Sequence, residues 1–304
     1  MWICPSCDAV AVFQNERPWP VDWRCMSCGR AVEHRCGVPC LAPELIGSRS
    51  GFDPGFFQDL LRIEAANFWF LNRGRLILRL LDEHFPASRS LLEIGCGTGS
   101  VLGAIQEHRP ELCLIGSELH PEGIAIAGRR LGHGVTLLQF DARAIPAREE
   151  FDVVGAFDVI EHIPEDEMVL RAMRTCLRPG GGAIVTVPQH PWLWSPFDDA
   201  AHHCRRYGRG ELEGKLRAAG FDVLRSTSYN ALLLPLMLAS RWFKKLPLGV
   251  SRRDTALSEF DIARWLNRTL SLTLTAETWM TTLGVNWPLG GSRFVVARRS
   301  PDRS

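Results

Sequence analysis

Two kinds of residue in this chain are spaced for chemistry. The first is cysteine. Cys4-Pro5-Ser6-Cys7 and Cys25-Met26-Ser27-Cys28 form two Cys-x-x-Cys turns, and four thiolates from two such turns suit a tetrahedral zinc ion. Four sulfurs leave no open coordination position, so Cys4, Cys7, Cys25 and Cys28 point to a structural metal. Cys36 and Cys40 follow, with His34 nearby. They are expected as core thiols, although their position would also let them add to or replace the ligand set. The second is glycine. In Leu91-Leu92-Glu93-Ile94-Gly95-Cys96-Gly97-Thr98-Gly99-Ser100 a short apolar run breaks into alternating glycines, and a helical pattern starts at Val101. Such glycines permit positive φ and let a ligand lie against bare backbone near a helix start. The spacing is not the dinucleotide fingerprint Gly-x-Gly-x-x-Gly.

Carboxylates and histidines recur after apolar runs. Glu93 precedes the glycine turn, and Glu118 ends the run from Leu112. A carboxylate at a strand tip can accept both hydroxyls of a ribose. Asp141-Ala142 follows the run Val135 to Phe140, and the run from Phe151 leads out into Asp158 and Glu161-His162. Further on, Pro188 to Asp199 and Ala201 to Tyr207 concentrate His, Trp, Asp and Arg. That density at a strand end suggests a substrate pocket. Histidine there would suit proton removal near neutral pH.

The elements that must position these groups alternate between strand and helix. This implies an α/β, doubly wound, mostly parallel sheet, with ligands beyond the carboxyl ends of the strands. Phe56 to Phe85 reads as helix, with Leu60, Leu61, Ile63, Leu76, Ile77, Leu80 and Leu81 at helical spacing. The segment Pro43 to Pro54 reads as a linker. The chain has 304 residues and a net charge of +1, so no global field draws it to nucleic acid or an anionic membrane. It has no apolar window of about twenty residues and its N-terminus lacks a signal pattern. The expectation is a cytoplasmic chain whose cysteines are metal ligands and buried thiols.

The glycine stretch resembles motif I of the class I S-adenosylmethionine (SAM) dependent methyltransferases, Leu-x-Glu/Asp-x-Gly-x-Gly-x-Gly. The resemblance continues through Glu118, Asp141-Ala142, Asp158 with Glu161-His162, and the turn Arg178-Pro179-Gly180-Gly181. It implies a Rossmann-like seven-stranded sheet with a SAM site built from Arg73, Glu93, Gly95, Cys96, Gly97, Thr98, Gly99, Glu118, Leu119, Asp141, Ala142, Phe157, Asp158 and His162. Within it, Glu118 would hold the ribose and Asp141 the adenine amine, with the Ala142 N–H on a ring nitrogen. Arg73 would pair with the methionine carboxylate, and the aromatics Phe68, Trp69 and Phe70 would cover SAM or simply pack in the core. The motifs Pro-x-His-Pro-Trp-Leu-Trp and His-x-Arg-Arg-Tyr resemble a bacterial subgroup of these enzymes and place His203 first as catalytic base, followed by His162 and His190. The alternative for His203 is a purely positioning role. A metal on His202, His203 and Asp198 is disfavoured, because adjacent histidines on a strand point apart. Residues 1–42 resemble the ribbon at the front of many bacterial methyltransferases and the small zinc-ribbon activator proteins.

The expected organisation is a zinc ribbon (1–42), a linker (43–55) and a methyltransferase domain (56–300) carrying a helical cap insertion (231–285). The expected function is SAM-dependent methyl transfer to oxygen of a small-molecule or lipid-like acceptor. Two alternatives stand beside it. One is an RNA methyltransferase guided by the ribbon, against which count the near-zero charge and the lack of an Asn/Asp-Pro-Pro-Phe/Tyr motif. The other is a SAM-binding scaffold without turnover. The apolar run Ala231 to Ala239, with Trp242, Phe243, Lys244, Lys245, Arg252 and Arg253 after it, reads as a lid over the pocket, with contact to a membrane surface as the rival.

Overall fold

The computed structural model describes residues 1–13, 18–47, 55–244 and 262–302, with backbone only for 240–244. The side chains of Trp242, Phe243, Lys244, Lys245, Arg252 and Arg253, on which the rival membrane-contact reading rests, lie outside that set, as does most of the linker. Among the described residues no helix is long and apolar enough to cross a membrane.

The centre is a seven-stranded sheet. Its strands are β3 (Ser90–Ile94), β4 (Cys113–Ser117), β5 (Val135–Leu138), β6 (Phe151–Phe157), β7 (Leu177–Pro188), β8 (Phe221–Tyr229) and β9 (Ser292–Arg299). The order is β5-β4-β3-β6-β7-β9-β8, with β9 antiparallel to both neighbours and the other pairs parallel. The order reverses between β3 and β6, and the turns after these two strands open side by side. That crevice is where an open α/β sheet binds ligands. Leu91, Leu92, Val153 and Val154 are buried, as strands covered by helices on both faces require.

Helices α1 (Phe56–Glu64) and α2 (Phe68–His84) replace the single expected helix. The break has a local cause: Asn67 is extended and its side chain accepts the Trp69 N–H at 2.9 Å, which caps α2. α2 buries Leu76, Ile77, Leu80 and Leu81 along one stripe. α3 (Ser100–His108), α4 (Pro121–Leu131) and α5 (Asp166–Cys176) connect the parallel strands. α6 (Pro196–Ala200) opens with a capping box between Ser195 and Asp198. α7 (Glu211–Ala218) leads into β8, and α8 (Leu234–Lys244) and α9 (Arg264–Thr282) lie between β8 and β9. The Pro-Gly-Gly segment, expected as a turn before a strand, is already part of β7. His202 and His203 sit in a turn after α6 rather than on a strand, so the argument that they must point apart does not apply.

The N-terminal ribbon carries the hairpin β1 (Glu33–Arg35) and β2 (Val38–Cys40). It does not pack on itself alone. Cys4, Trp19, Trp23, Cys25 and Leu41 belong to the same buried cluster as Leu92, Ile94, Val154 and Ala156 of the central strands. Trp2 meets the Phe151 ring edge-on at 5.5 Å. Cys40 is buried, as expected, but Cys36 is exposed at the hairpin tip with a φ of 51°.

Candidate active site

One large cavity, of about 760 Å³, opens over the crevice between β3 and β6. Its floor is the glycine turn. Gly95, Gly97 and Gly99 all have positive φ. At Gly95 space matters too: a Cβ would stand 2.7 Å from Val159 Cγ2, so the turn after β6 closes against this one only if residue 95 is bare. The helix side of the turn is fixed by a part-buried cluster that the sequence did not announce. Glu64, at the end of α1, accepts from Thr98 Oγ1 at 2.8 Å and pairs with Arg130 at 2.5 Å, while Arg130 donates to the Thr98 carbonyl at 3.0 Å. The spacing of these residues carries no local signal.

Carboxylates ring the floor. Glu93 is buried, with Oε2 lacking a hydrogen-bond partner among the described residues. Burial pushes its pKa up to about 8, although Arg73 opposes the shift. Glu118 accepts the Gly97 N–H and the His120 N–H, each at 2.9 Å. Burial raises its pKa against those bonds. Asp141 accepts from Arg143, backbone at 2.9 Å and side chain at 3.0 Å. Leu119, Ala142 and Phe157 line the same wall. Arg73 does not stand free for a ligand. It pairs with Asp158 at 2.6 Å and donates to the Phe157 carbonyl at 2.8 Å. Of the expected SAM-site residues, Gly99 alone is not on the cavity surface; it serves as the N-cap of α3.

This floor fits a sulfonium nucleoside. Positive-φ glycines leave bare backbone, and the buried carboxylate oxygen of Glu93 faces a space where a cation would relieve its desolvation. Glu118 offers a strand-tip carboxylate whose present partners are backbone N–H groups that a ligand hydroxyl can replace.

The same cavity carries a second constellation. His203 Nδ1 is 2.8 Å from Asp198 Oδ1. Asp198 also receives Arg206 Nε at 2.7 Å and Ser195 N at 2.7 Å. Burial would raise the Asp198 pKa, but the His203 hydrogen bond and the Arg206 charge outweigh it and hold the value at about 2. An ionised carboxylate only accepts, so Nδ1 carries a proton and Nε2 is the ring nitrogen left for other partners. Nε2 lies 4.0 Å from Glu161 Oε1. Glu161 is fully buried and neither carboxylate oxygen accepts a hydrogen bond from the described residues. Burial, reinforced by the Asp158 charge, holds its pKa well above the usual range. The His162 ring meets that of His203 edge-on at 4.7 Å. Burial, with the neighbouring His203 charge, lowers the His162 pKa to about 3, so it stays neutral. His190 is not on the cavity surface; it stacks on Trp192 at 4.9 Å. Arg205 pairs with Asp166 at 2.9 Å.

Beyond His203 the wall turns apolar. Phe68 and Trp69 line it from α2, Leu233 from the turn before α8, Leu236 and Met237 from α8, and Leu270 from α9.

In the ribbon, Cys4 and Cys28 sulfurs lie 3.7 Å apart and Cys7 and Cys25 sulfurs 3.6 Å apart. All four lie within 4.8 Å of one another. A tetrahedron with zinc–sulfur bonds of about 2.3 Å has edges of about 3.8 Å, so the four thiols fit zinc.

Comparison with known proteins agrees with this geometry. A methyltransferase domain model matches residues 64–226, more than half of the chain. A ubiquinone biosynthesis O-methyltransferase of Stutzerimonas stutzeri (strain A1501) is 31% identical over 118 residues, 36% of this chain and 50% of that one. The chain spans about half the length of the curated relatives it matches first. Among solved structures, one chain of the complex between the Haloferax volcanii Trm112 methyltransferase activator and a methyltransferase superposes with a TM-score of 0.54 at 16% identity, covering 82% of this chain and 97% of that one. A Haemonchus contortus phosphoethanolamine N-methyltransferase 2, in complex with S-adenosyl-L-methionine, superposes with a TM-score of 0.50 at 18% identity, covering 74% and 52%. These two likenesses concern the fold. With the family match running from the end of α1 into β8, across the glycine turn and the strand-tip acids, this chain belongs to the methyltransferase-domain family, in its class I, SAM-dependent form.

Proposed function

We propose that this protein transfers the methyl group of SAM to an oxygen of a small, largely apolar or lipid-like acceptor, with His203 as the base. The observation that carries the reading is the pairing of buried Asp198 with His203, which lines the same cavity as the glycine turn. SAM supplies an electrophilic methyl on a cationic sulfur. Gly95 to Thr98, Glu93, Glu118, Leu119, Asp141, Ala142 and Phe157 form the binding floor, and Arg73 holds Asp158 in place. Asp198 orients the His203 ring and stabilises its charged form when Nε2 takes the acceptor proton. His162, neutral and packed on His203, shapes the pocket rather than carrying a proton. The rest of the chemistry is positioning, since an in-line displacement chiefly needs the nucleophile held close and aligned.

The apolar wall from α2, α8 and α9 supports a greasy acceptor and a lid role for α8 and α9. The name of the Stutzerimonas relative, an O-methyltransferase of ubiquinone biosynthesis, supports oxygen as the atom. Cys4, Cys7, Cys25 and Cys28 would hold a structural zinc. The domain plan is a ribbon (1–42), a connection (43–55) and a catalytic domain (56–300).

The test is to incubate purified protein with methyl-labelled SAM and a bacterial lipid and small-molecule extract, then identify the labelled product. Label on an oxygen of an apolar compound is expected. Label on RNA alone, or SAM binding with label on nothing, would overturn the proposal.

A further inference from the structure

The ribbon does more than sit at one end of the chain: it grips the loop that follows β5 at both of its ends. At the first end, β2 continues the sheet past its edge strand. Gln139 N donates to the Pro39 carbonyl at 2.9 Å, and Leu41 N donates to the Gln139 carbonyl at 2.7 Å. The Gln139 side chain repeats the pattern. It accepts from Ala42 N at 3.0 Å and donates to the Ala42 carbonyl at 2.7 Å. Gln139 is fully buried, so all of these bonds are shielded from water and costly to leave unmade. At the second end, Ile3 N donates to the Pro146 carbonyl at 3.0 Å and Arg148 N to the Met1 carbonyl at 2.8 Å. Between the two grips lie Phe140, Asp141, Ala142 and Arg143, all on the cavity surface.

We propose that the ribbon is a working part of the cofactor site, with Gln139 as the positioning residue that holds the Asp141–Ala142 turn against the cavity, so that metal loading of the ribbon sets the affinity for SAM. The proposal rests on the reading of Asp141 and Ala142 as the adenine-facing turn. The physical chain is short. A segment of this size has too little apolar surface to fold unaided, and four thiolates on one zinc supply what is missing. Losing the metal loosens the segment, and both grips on the loop come from that segment. The loop then regains conformational freedom, which SAM must remove again on binding. The glycine floor is held by other contacts, Val159 against Gly95 and Glu64 with Arg130 on Thr98, and the Glu118 carboxylate by the Gly97 and His120 N–H groups, so the loss is concentrated at the adenine end.

The experiment compares three full-length proteins: zinc-loaded wild type, wild type stripped of zinc by a chelator under reducing conditions, and zinc-loaded Gln139→Leu. SAM affinity is measured by calorimetry, zinc content by atomic spectroscopy, and backbone protection by hydrogen exchange on the ligand-free proteins. Gln139→Leu is expected to keep its zinc, to bind SAM about tenfold more weakly, and to exchange faster in 139–148 while 90–108 stays protected. Zinc-stripped protein is expected to show the same pattern. Unchanged affinity and unchanged exchange in 139–148 for Gln139→Leu would overturn the proposal, and that variant decides the matter even if stripping the metal unfolds the chain. If zinc-loaded wild type bound no SAM, the SAM reading would fall instead, and the exchange data would still say whether the ribbon holds the loop.

Discussion

Asp198 Oδ1 and His203 Nδ1 stand 2.8 Å apart, on a turn that also brings Arg206 to within 2.7 Å of the same oxygen. The carboxylate thereby fixes which imidazole nitrogen faces the cavity. His203→Gln is expected to lower kcat by about 10² or more while leaving SAM affinity as it is. Asp198→Asn should cut kcat too, because the imidazolium formed on proton uptake loses its counter-charge. Equal loss of SAM binding in either variant would show that the pair props up the fold instead.

The same carboxylate makes a stability prediction. Its folded pKa is held at about 2, below the ordinary 3.8. A depressed carboxylate contributes stability that is fully present above pH 4 and lost as pH falls toward 2. The contribution is about 2 kcal/mol. Asp198→Asn should therefore unfold more easily than wild type in denaturant at pH 7, with the gap closing near pH 2 to 3. A gap independent of pH would refute the assignment.

Glu93 behaves in the opposite sense. Its pKa of about 8 means that it is protonated at neutral pH in the empty protein, and folding stability falls as pH rises from about 4.5 to 8. A cation bound beside it reverses the shift. SAM binding at pH 7 is expected to release a proton, measurable as a dependence of the calorimetric heat on the buffer's ionisation enthalpy. Glu93→Gln should remove that dependence; its persistence would assign the proton elsewhere.

Glu118 now accepts two backbone N–H groups. Glu118→Ala is expected to bind SAM at least tenfold more weakly, from the loss of charge-assisted bonds to the ribose, with little change in Tm. Unchanged affinity would reject the ribose role.

Metal content gives the plainest check. Protein purified under reducing, oxygen-free conditions should carry one zinc per chain on Cys4, Cys7, Cys25 and Cys28. Cys25→Ser should lose the metal and lower Tm. A full chain without metal would remove the ribbon's zinc and the coupling built on it.

Most of the sheet was legible in the residues themselves. Strands such as Leu91 to Ile94 and Phe151 to Phe157 are apolar runs each interrupted by a single acid, Glu93 and Asp152, as suits a doubly covered parallel sheet, and the glycines between Gly95 and Gly99 announce a bare turn. The two knuckles announced by spacing alone a set of four thiols that fits zinc. These features are local, so the sequence by itself determined them. What it could not determine is which distant groups meet. Glu64 and Arg130 close on Thr98 from two different helices. Arg73, read as a partner for the ligand, is taken by Asp158, and His190 turns from the cavity to stack on Trp192. Gln139 joins the ribbon to the sheet across nearly a hundred positions of chain. Pairings of this kind depend on crossovers that fold far segments together, and no periodicity in the chain records them; only the packed tertiary structure decides which buried polar groups find one another.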